Sequence, residues 1–262
     1  MTLPAPLRPL VDDPQHSVVL VDFDGSLALI VDDPAAAAPL PAAVDALREL
    51  APLLGTLAVV SGRTVEFLSA ALPIDGVTLA GLYGLERSTD GLTSIDPRAE
   101  PWVAPIADAA GEAERALPGL LVERKGDLCV TIHFRTAPDR AEEARTVAGE
   151  LARQYGIEAP QRGRMAVELR PPVPVDKGTV AAELAHGAHA GMFAGDDAGD
   201  IPAFAALAEL ERSGSLGHAI RVGVRSPEAP PEILLEADVL VDGPAALAKL
   251  LHELAEAVRL RD

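Results

Sequence analysis

"SVVLVDFDGSLALI", Ser17 to Ile30, begins as an apolar run and then carries two aspartates, Asp22 and Asp24, two residues apart. Val18 to Val21 has the continuous apolar character of a strand covered on both faces, the kind found in parallel sheets flanked by helices. A carboxylate at the end of such a strand is expensive to bury unless a cation or a set of donors compensates it. In open α/β sheets ligands collect beyond the carboxyl ends of the strands, so position alone makes Asp22 and Asp24 site candidates. The other use of D-x-D-G is to cap a turn with Gly25, and the fragment by itself leaves both readings open.

Outward from this fragment the same grammar repeats. "PAAVDALRELAPL" reads as a helix, "LAVVSG" as a strand, "RTVEFLSAAL" as a helix, and "VTLAG" as a short strand leading into the glycine-punctuated "GLYGLE". From about Asp176 it returns, with helices at "KGTVAAELAH" and "IPAFAALAEL" and strands at "GMFAG", "AIRVGV" and "ADVLVDG". Alternation on this scale predicts βαβ units and one doubly wound, Rossmann-like α/β core built from both ends of the chain, residues 1–100 and 173–262.

Residues 101–172 read differently, because apolar and polar residues alternate along the strands. In "DLCVTIHFR" Leu128, Val130, Ile132 and Phe134 share one face, and Asp127, Cys129, Thr131, His133 and Arg135 the other. "LLVERK" sets Glu123 and Lys125 on one side, and "RMAVELR" sets Arg164, Glu168 and Arg170 opposite Met165, Val167 and Leu169. Helical stretches near Trp102 to Leu117 and Asp139 to Tyr155 would cover the apolar side. The expectation is an inserted α+β domain with an open polar sheet face.

Asp and Glu outnumber Lys and Arg by 40 to 22, a formal net charge of -18. Such a chain repels a nucleic-acid backbone or an anionic membrane, while a small phosphorylated ligand is still accessible to a cleft with local donors and a metal. The single cysteine, Cys129, excludes an intramolecular disulfide framework. Prolines and acids in "MTLPAPLRPLVDDP" interrupt what a secretory leader would need as an apolar stretch, and a cytoplasmic protein is expected. His186, His189, His218 and His252 show no paired ligand spacing and do not suggest zinc. The sequence leaves oligomeric state open.

Three more stretches carry chemistry. "GDDAGD", Gly195 to Asp200, places Asp196, Asp197 and Asp200 after another buried strand. Two acidic clusters on neighbouring strands would repel without a cation, and all-oxygen ligation suits Mg²⁺. "SGR", Ser61 to Arg63, lies where a strand turns into a helix, a place for an anion on backbone amides and a hydroxyl. Lys177 stands in the first turn of a helix, where the macrodipole disfavours a cation, so an anion is expected beside it.

In that order on an α/β core, D-x-D-G-S, Ser, Lys and G-D-D-x-x-D resemble the four motifs of the haloacid dehalogenase-like phosphatases. "VERKGDLCVTIHFR", "VELRPPVPVDKG" and "GDDAGDIPAF" further resemble signatures of trehalose-6-phosphate phosphatases, with Ser26, Ile201 and Tyr83 standing where Thr, Glu and His are commoner. The resemblance spans roughly Val18 to Leu207 and makes the insertion a cap. It implies Asp22 as nucleophile and Asp24 as acid then base, with Ser61 and Lys177 on the phosphoryl oxygens. It further implies Mg²⁺ on Asp22, Asp196 and the main-chain carbonyl of Asp24, with Asp197 and Asp200 supporting the metal or Lys177. Glu123, Lys125 and Glu168 match sugar-binding positions, with Arg63 and Arg135 as further candidates against the substrate, a phosphorylated disaccharide. Other sugar phosphates, such as sucrose phosphate or mannosylglycerate phosphate, and a non-catalytic sugar-phosphate sensor stay open as alternatives.

Overall fold

The computed structural model describes residues 3–31, 33–157, 159–163, 165–226 and 229–261. The strands are β1 (Ser17–Val21), β2 (Thr56–Val60), β3 (Val77–Gly81), β4 (Glu86–Thr89), β5 (Leu92–Ile95), β6 (Leu121–Lys125), β7 (Cys129–His133), β8 (Gln161–Gly163), β9 (Ala166–Leu169), β10 (Ala190–Gly195), β11 (His218–Arg225) and β12 (Val239–Asp242). The helices are α1 (Arg8–Asp12), α2 (Pro41–Leu50), α3 (Val65–Ala71), α4 (Val103–Ala116), α5 (Ala141–Tyr155), α6 (Lys177–Ala185), α7 (Ile201–Arg212), α8 (Pro231–Glu236) and α9 (Gly243–Arg259).

The chain divides into two compact units, Met1–Ser94 with Val175–Asp262, and Ile95–Pro174. The first boundary falls earlier than the sequence places it, at Ile95. The second falls later, at Val175, whose side chain lies against the bare backbone of Gly84.

Among the described residues the first unit holds an eight-stranded sheet in the order β12-β11-β10-β1-β2-β3-β4-β5. It is parallel from β12 to β3, with β1 between β10 and β2. Two-residue periodicity explains its two layers. Val19 and Val21 enter the core shared with α2 and α9, while Val18 and Leu20 enter the core shared with α6 and α7. The unit is therefore doubly wound, as the sequence predicts.

Several elements lie outside the sequence reading, among them β4, β5 and α9. β4 runs antiparallel to β3, so the sheet is mixed at one edge and not wholly parallel. β4 and β5 are joined by Asp90 and Gly91, with φ of 52° and 76°, the pair of left-handed residues that a tight hairpin turn requires. Helix α9 buries Leu247, Leu250, Leu251, Leu254 and Val258 on one stripe and packs along α2.

The second unit is a four-stranded sheet, β6-β7-β9-β8, antiparallel throughout. Helices α4 and α5 cover one face, over Val130, Ile132, Phe134, Val167 and Leu169. The opposite face is polar, and Thr131 and Glu168 on it are buried. The alternation expected through Arg135 stops at His133, and Arg135 occupies a turn. Likewise β9 starts at Ala166, since Met165 has a φ of 46° and belongs to the turn before it. Arg164 lies outside the described residues. No described helix is long and apolar enough to cross a membrane.

Candidate active site

Asp22 follows β1 directly, and its amide donates to the carbonyl of Ala194 in β10, 2.9 Å away, continuing the sheet by one step. Asp196 likewise follows β10 directly, with its amide turned to Asp200 Oδ2. The two acidic clusters thus stand side by side at the carboxyl edge of adjacent strands. One carboxylate oxygen from each of Asp22, Asp196 and Asp200 falls within 4.8 Å of the others, and all three residues are buried.

Lys177 is the first residue of α6 and reaches into this cluster, with Nζ donating to Asp22 Oδ1 at 2.6 Å and to Asp200 Oδ1 at 2.7 Å. These are the anions that a lysine set against the helix dipole calls for. Asp176 caps the helix, accepting from the Thr179 amide at 2.8 Å while its own amide donates to Thr179 Oγ1 at 2.9 Å. The lysine backbone is thereby fixed.

The loop after β10 wraps around Asp200. Its Oδ2 accepts from the amides of Asp196 at 2.9 Å and Asp197 at 3.0 Å, and Asp197 Oδ1 accepts from Gly199 at 2.8 Å. Both oxygens of Asp200 therefore already have donors, which makes it a buttress for Lys177. Lys177 takes only Oδ1 of Asp22, and Oδ2 is the oxygen left for other work.

Two glycines let the carboxylates come this close. A Cβ on Gly195 would lie 2.3 Å from Asp200 Cγ, and one on Gly25, whose φ is 90°, would lie 2.3 Å from both carboxylate oxygens of Asp196. The all-oxygen donor set, buried and carrying more negative charge than Lys177 offsets, fits a hard divalent cation. Burial first, then the carboxylates of Asp200, Asp196 and Asp197, push the Asp22 carboxyl well above its ordinary range against the pull of Lys177. Burial likewise raises Asp200. For Lys177 burial works against the charge, but Asp200 and Asp22 outweigh it and hold the ammonium charged.

Asp24 faces away from this cluster onto Arg63. The guanidinium forms a fork, Nε to Oδ2 and Nη2 to Oδ1, each 2.7 Å, and Nη1 donates to the carbonyl of Pro34 at 2.6 Å. Arg63, expected against the substrate, is thus engaged with a neighbouring carboxylate, and the sequence held no signal for this pairing because it joins two separate strand ends. Ser61 is buried at the end of β2, and its Oγ accepts from the Arg63 amide at 3.2 Å, which leaves the hydroxyl proton free to donate. Two amides at the start of α3 already have side-chain partners. Glu86 Oε2 accepts from Val65 at 2.8 Å and Thr64 Oγ1 from Phe67 at 3.1 Å.

In the second unit Lys125 Nζ donates to Glu168 Oε2 at 2.8 Å, and Thr131 Oγ1 donates to the same oxygen at 3.0 Å. His133 Nε2 lies 2.7 Å from Glu123 Oε2. Thr131, read from the sequence only as part of the polar face, is not among the site candidates; its signal is the register, which sets it directly opposite Glu168. Arg135, in its turn, is not on this strand face. Cys129 is fully buried.

A family model described as trehalose-phosphatase matches residues 20–229. The chain is 31% identical over 257 residues to a trehalose-phosphate phosphatase of Mycobacterium tuberculosis (strain ATCC 25618 / H37Rv), covering 94% of this chain and 63% of that protein. With a trehalose-phosphate phosphatase of Mycobacterium avium (strain 104) it shares 35% over 205 residues, 74% of this chain and 52% of the relative. The chain therefore spans under two thirds of the length of these relatives. Among solved structures, a trehalose-6-phosphate phosphatase related protein superposes with a TM-score of 0.79 at 23% identity, covering 94% of this chain and 100% of that one. The C-terminal domain of the Candida albicans trehalose-6-phosphate phosphatase gives 0.74 at 24%, with coverage of 97% and 98%. A haloalkanoate (HAD) superfamily phosphatase from Bacteroides thetaiotaomicron gives 0.53 at 17%, over 91% and 94%, consistent with the same α/β fold.

Proposed function

Because the chain belongs to the trehalose-phosphatase family, we propose that it hydrolyses trehalose 6-phosphate to trehalose and phosphate by way of an aspartyl-phosphate. The observation that carries this reading is Asp22, buried, held through one oxygen by Lys177 and presenting the other at the carboxyl edge of the central strand. Asp22 Oδ2 attacks phosphorus, the bond from phosphorus to the sugar oxygen breaks, and Asp24 gives its proton to that oxygen. Asp24 then takes a proton from water as the water attacks phosphorus, which releases phosphate and regenerates the Asp22 carboxylate. Lys177 and Ser61 donate to the phosphoryl oxygens.

Mg²⁺ is the cation proposed, held by Asp22, Asp196 and the main-chain carbonyl of Asp24, and when bound it supplies positive charge against the phosphoryl oxygens. Asp197 and Asp200 keep Lys177 and the loop in place. Glu123, Lys125 and Glu168 are the proposed partners of the sugar hydroxyls. A second carboxylate two residues after the first supports chemistry over binding alone, and turnover in the panel below decides between the enzyme and the sensor reading. The cytoplasm is the proposed compartment, in keeping with a chain whose single cysteine provides no intramolecular disulfide.

The test is phosphate release from a panel holding trehalose 6-phosphate, sucrose 6-phosphate, mannosylglycerate phosphate and glucose 6-phosphate. It is run on EDTA-treated protein before and after addition of Mg²⁺. Trehalose 6-phosphate should give the highest kcat/KM, and only with Mg²⁺. A higher kcat/KM for another sugar phosphate would overturn the substrate, and full activity in metal-free protein would overturn the cation.

A further inference from the structure

We infer that Arg63 is a positioning residue for Asp24, fixing the carboxylate that exchanges the leaving-group proton. Three features hold the guanidinium in one place: the carbonyl of Pro34, 2.6 Å from Nη1; the ring of Phe67, whose centroid lies 4.6 Å from Cζ; and Phe23, packed edge-on against Phe67 at 5.5 Å. The backbone is pinned as well, with the Arg63 amide donating to Ser61 Oγ at 3.2 Å and the Arg63 carbonyl accepting from Leu82 at 2.8 Å. The side chain is 13% exposed, against 36% for Asp24, so the fork is anchored on the protein side and the carboxylate on the solvent side.

A carboxylate has about four lone-pair sites and a bidentate guanidinium occupies about two of them, one per oxygen. One site on each oxygen stays available, in an orientation the fork dictates. Proton transfer to the departing oxygen is sensitive to that orientation, since a displacement of about 1 Å costs about a hundredfold in rate. A lysine at this position would keep the charge and lose the fork.

Arg63's role rests on Asp24 being the general acid, and the experiment separates the two. Aryl phosphates carry no sugar, and kcat/KM reports the step in which the bond to the leaving oxygen breaks. The measurement compares kcat/KM for 4-nitrophenyl phosphate, whose leaving group needs little protonation, with that for phenyl phosphate, whose leaving group needs more. It is made on the intact Mg²⁺-loaded protein and on Arg63→Gln, Arg63→Lys and Asp24→Asn. If Arg63 positions Asp24, both Arg63 variants should lose about tenfold or more on phenyl phosphate beyond their loss on 4-nitrophenyl phosphate, in the same direction as Asp24→Asn. Should Arg63→Gln fail to fold, Arg63→Lys carries the comparison. Equal losses on both aryl phosphates in the Arg63 variants, with the selective loss kept in Asp24→Asn, would overturn the positioning role and leave the acid assignment standing. No selective loss in Asp24→Asn would overturn both.

Discussion

Asp22, Asp196 and Asp200 set three buried carboxylates around the single ammonium of Lys177, and this imbalance governs how the site behaves without metal. Burial and the neighbouring carboxylates raise the Asp22 carboxyl in the folded chain, so the folded state holds that proton more tightly than the unfolded state does. The stability associated with this proton is fully present below the unfolded carboxyl range and is lost as pH rises through the raised value. Metal-free protein should therefore lose melting temperature with rising pH, and Asp22→Asn, which keeps the shape without the charge, should show a shallower loss while abolishing turnover. Melting curves in EDTA across pH check this. Equal slopes for the two proteins would contradict it, as would parental turnover in the variant. The position of Asp22 and Asp24 was legible because acids at the end of an apolar run are conspicuous. The Arg63 fork and the bond from Thr131 to Glu168 were not, because side-chain partners across strands depend on register and on the ends of separate elements.

Helix α6 shows how a local element serves the site. Asp176 and Thr179 form a reciprocal cap one residue before and two after Lys177, so the helix start and the lysine backbone share one set of hydrogen bonds. Replacing an Asp cap by Ala costs about 1 kcal/mol, a fall in Tm of about 2–4 °C for a chain of this size. Asp176→Ala should show that fall together with reduced kcat, because Lys177 loses its fixed base. An unchanged Tm with lowered kcat would mean that Asp176 acts through something other than the cap. At this scale the long βαβ elements were readable from periodicity, whereas β4 and β5 were not, being four residues each and half exposed, with only "DG" between them as a signal. Helix α9 does carry a clear stripe, from Leu247 to Val258, and its pattern is sufficient to find it.

Over the whole molecule, the change from continuous to alternating strands marked the insertion, because a sheet buried on both faces and a sheet with one polar face use different residues. Its ends were less legible: the second unit runs from Ile95 to Pro174, and Val175 already packs against Gly84 in the first unit, which composition does not reveal. The net charge of -18 is expected to repel polyanions, while the proposed phosphorylated ligand would meet the carboxyl edge of the sheet, where Lys177 joins the buried carboxylates. The most direct test of the proposed chemistry is a rapid acid quench of the protein mixed with trehalose 6-phosphate and Mg²⁺, followed by peptide mapping by mass spectrometry. The phosphoryl group should be found on Asp22 and disappear as phosphate is released. Its attachment to any other residue, or phosphate release with no protein-bound phosphoryl group at any quench time, would contradict Asp22 as the nucleophile.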